Sequence, residues 1–298
     1  MTRPLARSCI GGLRLVLPGA LVLAGCIALQ WVALAWLVRF EEPAAEWEYA
    51  LYLALGRGTL YGLAALALLA ALHLWLHGRE DMRPRGAGDV VRWWPLGERV
   101  VHWLLVLNFA VLLVTGVYLY TAGGGLPSPL THNMRRWHFG EGFMAFGAAL
   151  FLLWFRDALP RRYDLRWLAA GGGHLRRWRG EAPLPAGRFN AGQKLWFWLE
   201  SLAGIAMALT GWELQHGYTR FDEGYLTLLT VHGASAALFL LVLAVHFYLA
   251  VIGVRGALNG MVRGWVGRAG ARRLHPLAAA LSAPERETVA GSRRDGRA

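Results

Sequence analysis

The stretch VHGASAALFLLVLAVHFYLA, residues 231–250, decides how this chain is read. It is apolar over the length that a bilayer core of ~30 Å demands of a helix, yet it carries two imidazoles, His232 and His246. The two stand 14 residues apart. At about 100° per residue that spacing falls roughly 40° short of four full turns, so both project from one face, roughly 21 Å apart along the axis. Ionisable side chains inside a membrane helix are functional candidates by default. Such a helix presents one imidazole near each side of a membrane, and each imidazole needs a partner at its own depth.

Outward from this stretch, five further apolar runs bring the expected spans to six: Leu15 to Val38, Leu51 to Leu76, Val100 to Tyr120, Phe139 to Phe155, Leu195 to Leu214, and Tyr225 to Val254. The second carries Arg57 and His73, and the fourth is short and carries Glu141. Of the 298 residues 56% are hydrophobic and 17% charged, too apolar for a disordered chain and too poor in charge for an ordinary soluble domain. The 31 basic and 19 acidic residues leave a net charge of +12, and Lys194 is the one lysine.

A basic chain raises nucleic acid as a partner, and the placement of the arginines removes it. Three basic residues precede the first span, five lie in the second connecting segment, nine in the fourth and nine in the tail, 26 in all. The alternate segments hold only one, two and one. Sorting by side is the positive-inside pattern, with six helices and both termini cytoplasmic. The paired arginines at 161–162, 176–177, 272–273 and 293–294 then read as contacts to lipid headgroups. Residues 271–298, with their Ser, Gly, Arg and Pro, read as a basic, disordered cytoplasmic tail. Leu23-Ala24-Gly25-Cys26 has the form of a lipoprotein cleavage box, but Ile27 to Val38 prolongs the apolar run, which favours an uncleaved helix. Two cysteines, Cys9 and Cys26, are too few for an iron-sulfur cluster. Any redox centre in this chain rests on other side chains.

Depth supplies the partners. His102, at the inner start of the third span, matches His246; His138, at the outer start of the fourth, matches His232. Two bis-histidine sites inside a four-helix bundle suit two b-type haems, whose six-coordinate iron passes one electron without binding a substrate. For one histidine alone the plainer reading is an interhelical hydrogen bond; four that match in depth go beyond it. Zinc lacks a third and fourth ligand in local spacing. His132 and His216 lie in outer loops, His174 and His275 in inner segments, and His73 and His77 end the second span at its interface, where a third haem is the weaker option. Gly116, Gly140, Gly142, Gly147, Gly204, Gly211 and Gly233 make room either for a flat macrocycle or for close helix packing. Arg99, Arg135 and Arg136 stand beside the proposed ligands, placed for haem propionates or for headgroups.

GERVVHW at 97–103, FRDALPRRYDLRWLAAGGG at 155–173, RFNAGQKLWFW at 188–198, the histidine-bearing stretch at 231–250 and GALNGMVRGWV at 256–266 together resemble the gamma, or cytochrome b, subunit of membrane-bound formate dehydrogenases. The resemblance covers about residues 95–270, the last four spans. It implies an all-α membrane protein: a four-helix di-haem domain over 95–270, preceded by an extension, 1–94, with two additional transmembrane segments and no counterpart in the short members. It implies an outer haem on His138 and His232, an inner haem on His102 and His246, and a menaquinone site beside the inner haem at Asn190 and Gly192. The residues agree, since a polar amide and a close-approaching backbone at an inner helix start can hydrogen-bond a quinone carbonyl, with Gln193 and Lys194 to orient or protonate it. Asn190 reads equally as an ordinary helix N-cap, and the two roles are compatible.

The function so implied is electron transfer from a periplasmic iron-sulfur beta subunit, served by a molybdenum or tungsten catalytic alpha subunit, through two haems to menaquinone or ubiquinone on the cytoplasmic side. Thr121 to Asn133, rich in Gly and Pro, is where a partner would dock. The rival within the class is a cytochrome of a thiosulfate or polysulfide reductase or a nickel-iron hydrogenase. The rival from another class is a haem-free membrane anchor or transporter, against which the paired histidines argue.

Overall fold

The structure is a computed structural model that describes residues 20–22, 24–25, 27–28, 46–121, 128–140, 151–173, 183–216, 224–278 and 281. These residues are mostly helical. In chain order the helices are α1 (Glu46–His77), α2 (Leu96–Thr121), α3 (Pro129–His138), α4 (Arg162–Ala169), α5 (Ala191–His216), α6 (Tyr225–Phe247), α7 (Ala257–Arg263) and α8 (Arg268–Leu274), with residues 151–158 also helical. Helix α6 runs on into one π-helical stretch, Tyr248–Gly253.

Among the described residues three helices are long and apolar enough to cross a membrane: Leu53–His77, Leu96–Thr121 and Tyr225–Gly253. They coincide with the second, third and sixth expected runs. Helix α5 contains the fifth, and at 26 residues it is as long as α2, but Lys194, Glu200 and Glu213 dilute its apolar character, and it is not one of the three. The first expected run lies mostly outside the described residues, and 141–150 of the fourth lie wholly outside them.

The chain divides into two units. The first comprises Met1–Gly58, Val100–Phe155 and Ser201–Leu238. Here α3 begins with Ser128, whose hydroxyl accepts the Thr131 amide at 3.1 Å, followed by Pro129, whose missing N–H costs nothing at a helix start. Thr131 is buried, and its hydroxyl lies 3.4 Å from the Tyr118 hydroxyl on α2, so α3 is held onto that helix.

The second unit comprises Thr59–Arg99, Arg156–Glu200 and Phe239–Ala298. The connection after α1 forms two short strands, β1 (Glu80–Asp81) and β2 (Val90–Arg92), which pair with β3 (Val254–Arg255) and β4 (Trp265–Gly267) from beyond α6. β1 and β3 are parallel, whereas β2 and β4 are antiparallel, with Val91 opposite Val266. Side chains alternate across a strand, so these two valines face the same way, into a core with Met82, Trp93, Ala271 and Ala278. The turns into and out of α7 need left-handed backbone, which Gly256 (φ 89°) and Gly264 (φ 87°) supply without steric cost. A Cβ on Gly264 would also lie 2.9 Å from the Trp94 carbonyl oxygen.

Two expectations change here. The ordered C-terminal segment runs past residue 270, the boundary set by composition, because α8 buries Ala271 and the chain after it buries His275 and Ala278. Residues 80–94, assigned to the N-terminal extension, are locked into the same small core as the C-terminal segment.

His275, read as a residue of an inner segment only, is 4% exposed, and its Nδ1 lies 3.0 Å from the Gly187 carbonyl oxygen. The adjoining Leu277 amide donates to Ala186 at 2.9 Å. Burial pushes the His275 imidazole down from 6.5 to about 4. The unfolded chain therefore takes up the proton first on acidification, so this contact loses stability as pH falls from about 6.5 toward 4. The protection of the Leu277 amide against hydrogen exchange is expected to fall over that window, and a His275→Asn variant, which keeps a donor toward Gly187 but does not titrate, is expected to lose the dependence.

Candidate functional site

In the first unit, His138 ends α3 and His232 lies in the second turn of α6, and the structure brings their rings together with centroids 6.1 Å apart and planes inclined at 65°. Two imidazole nitrogens bound ~2 Å from one iron on opposite sides hold their ring centroids about 6 Å apart. The pair therefore fits a bis-histidine haem iron. Each ring has a hydroxyl at its Nδ1: Thr115 of α2 at 3.0 Å from His138, and Thr210 of α5 at 2.9 Å from His232. Each hydroxyl is also bonded to a carbonyl one turn back on its own helix, Val111 at 2.7 Å and Ala206 at 2.6 Å.

His102, also in the first unit, stands in the second turn of α2, edge-on to Trp103 at 5.3 Å and 6.3 Å from the Trp154 ring. His246 belongs to the second unit, in the last turn of α6, where the Trp196 ring stacks on it at 4.5 Å with the planes 23° apart. Both histidines thus lie against aromatic rings.

The RFNAGQK segment enters α5 in the second unit. Asn190 and Gln193 form a reciprocal cap: the Asn190 carboxamide oxygen accepts the Gln193 amide at 2.9 Å, and the Gln193 carboxamide oxygen accepts the Asn190 amide at 2.9 Å. This is the capping-box arrangement, which satisfies two donors that a helix start leaves open. Each side-chain oxygen accepts one of these bonds, and each carboxamide also carries an NH₂ donor. The expected close approach at Gly192 is made by a tryptophan: a Cβ there would lie 3.0 Å from the Trp167 ring.

Lys194, one turn on, is buried and donates to both oxygens of Asp164 at 2.9 and 3.1 Å. Arg188 opens the segment. It pairs with both oxygens of Glu98, with Asp157 at 3.0 Å and with the Trp93 carbonyl at 3.1 Å, and lies 4.4 Å above the Trp94 ring. Arg99 donates to the Val262 carbonyl at 2.6 Å.

Reading the sequence missed Thr115 and Thr210. The available signal was a repeated dipeptide, Thr-Gly at 115–116 and again at 210–211, in two apolar helices. It also passed over Glu200, a carboxyl buried on α5. His132 and His216 are exposed but lie on helices, His132 within α3 and His216 at the end of α5, and not in loops as the sequence suggested; His174 lies outside the described residues.

A family model described as prokaryotic cytochrome b561 matches residues 93–264. Among curated proteins, a Haemophilus influenzae formate dehydrogenase cytochrome b556 subunit is 30% identical over 186 residues, covering 60% of this chain and 77% of its own length. The Escherichia coli K12 formate dehydrogenase cytochrome b556(fdo) subunit is 27% identical over 188 residues, 60% of this chain and 87% of that protein. The nitrate-inducible cytochrome b556(Fdn) subunit of the same organism is 25% identical over 194 residues, 60% and 85%.

The Lys194–Asp164 pair allows a direct check. Asp164→Asn strands a buried ammonium and is expected to cost about 3–5 kcal/mol, measured by thermal unfolding in detergent. A paired Asp164→Asn, Lys194→Met variant is expected to recover most of the loss, since it removes the uncompensated charge.

Proposed function

The chain belongs to the prokaryotic cytochrome b561 family, among the formate dehydrogenase cytochrome b subunits, and from there we propose that it carries electrons through the bacterial inner membrane to quinone. The observation that carries the reading is the 6.1 Å approach of His138 and His232, the separation a shared iron requires. In this reading those two residues hold an outer b haem, and His102 with His246 holds an inner one. The haems, when bound, supply one-electron transfer from an iron-sulfur partner subunit on the outer face, served by a molybdenum or tungsten catalytic subunit, to quinone on the inner face.

The chain's own residues do the rest. The apolar lengths of α2 and α6 keep water and ions away from the imidazoles. Trp196 covers one face of His246 and holds its ring plane. The NH₂ groups of Asn190 and Gln193, oriented by their mutual cap, donate to a quinone carbonyl oxygen, and the buried Lys194–Asp164 pair braces the first turn of α5 behind them. With the basic segments inward, both termini are cytoplasmic, and protons for quinone are drawn from that side. Electrons moving inward to meet those protons make turnover electrogenic.

Purified protein reduced with dithionite is expected to show a b-type spectrum at about two haems per chain; one or none overturns the reading. His138→Ala and His246→Ala are each expected to remove one haem and leave the other. Asn190→Ala, which deletes one hydrogen bond worth ~1 kcal/mol, is expected to raise the KM for quinone roughly five- to tenfold while leaving both haems in place.

A further inference from the structure

Each outer histidine is met by the same two residues in the same order. Thr115 and Gly116 on α2 lie against His138; Thr210 and Gly211 on α5 lie against His232. A threonine in an apolar helix commonly satisfies its hydroxyl on the carbonyl one turn back, and both do so, at 2.7 Å to Val111 and 2.6 Å to Ala206. A hydroxyl has one proton. With that proton committed to the backbone, the oxygen can only accept from the imidazole, so Nδ1 of each ring carries the hydrogen. In a neutral imidazole the other nitrogen, Nε2, then carries the lone pair, which is the state an iron ligand needs.

The glycines complete the cradle. A Cβ at position 116 would lie 3.1 Å from Cε1 of His138, and one at 211 would lie 3.4 Å from Cε1 of His232. Each imidazole thus lies edge-on against helix backbone, next to the hydroxyl that holds its Nδ1. Two occurrences of one arrangement, on two helices and serving the two members of one ring pair, are more than incidental packing requires.

We propose that the two Thr-Gly pairs are positioning residues for the outer haem, the threonines selecting the ligand tautomer and the glycines setting the ring planes. The proposal rests on the reading of His138 and His232 as ligands. Accepting Nδ1–H makes each imidazole a stronger donor through Nε2, which favours ferric over ferrous iron. The cradle therefore lowers the reduction potential of the outer centre.

The test uses the full chain in detergent, with Thr115→Val and Thr210→Val, which keep shape and remove the hydroxyl, beside Thr115→Ser and Thr210→Ser, which keep it. Haem is counted, the α-band is titrated against potential, and the low-spin ferric signals are recorded by electron paramagnetic resonance. The outer component is identified as the one missing from His138→Ala. The valine variants are expected to keep two haems, with the outer component shifted to higher potential and its g-values altered, the inner component unchanged, and the serine variants close to wild type. Gly116→Ala is expected to lower the outer haem's occupancy more than Gly211→Ala, in the order of the two contacts. Valine variants that titrate and resonate as wild type overturn the role of the hydroxyls. Loss of the outer haem to the same extent in valine and serine variants overturns it too, since bulk and not hydrogen bonding would then be at work. Wild-type protein without an outer haem is a different result, which overturns the haem reading and this proposal together.

Discussion

The guanidinium of Arg188 stands between the carboxylates of Glu98 and Asp157, donates to the Trp93 carbonyl and covers the Trp94 ring, and the second unit is organised around it. Charges half-removed from water are tolerated only when paired and hydrogen-bonded. Each partner comes from a different stretch: Glu98 from the first turn of α2, Asp157 from the helical residues 151–158, Arg188 from the run into α5. The arginine sits two residues before Asn190, so the same pairing that satisfies the charges also delivers the capping residues to the helix start. His275 and Leu277 grip the preceding residues, Gly187 and Ala186, from the C-terminal side. Ion pairs and tertiary hydrogen bonds together set where the two carboxamides stand.

The His138–His232 ring pair answers a different constraint with different chemistry. No charge is spent on it. Two hydroxyls already bonded to their own helices each lie within hydrogen-bond distance of an imidazole Nδ1, so the polar atoms at those contacts are partnered. Each such bond nets only about 1 kcal/mol. In apolar surroundings the larger effect is the penalty avoided, because an imidazole N–H buried without an acceptor costs more than the bond itself contributes.

The stretch matched to the family, 93–264, takes in only part of the small core of the second unit. Met82 and Val91 precede it, and Val266, Ala271 and Ala278 follow it. The connection after α1 and the end of the chain thus fold together largely outside the matched region, with Trp93 the one buried member of that core within it, beside the partly buried Trp94 and Val254. The additional helix α1 consequently leads into a folded segment and not into a loose leader. Within the first unit it also packs onto α2, where the Tyr120 side chain fills the place a Cβ on Gly56 would take.

Much of this was legible from the residues in order. Apolar length marked α1, α2 and α6, and Asn190 marked a helix start, because both signals are local to one helix. Strands of two and three residues left no such mark, and neither did the burial of His275, whose acceptor on Gly187 lies 88 positions away. The fourteen-residue spacing of His232 and His246 was enough to require a partner at each depth. Which hydroxyls would meet the outer rings was decided only by folding, since Thr115 and His138 are 23 residues apart, Thr210 and His232 are 22, and no periodicity of a single helix reaches between them. Sequence alone marked the apolar lengths of a membrane chain and the histidines on them; the tertiary structure decided how His138 and His232 are held, because a hydrogen bond between helices exists only once they are packed.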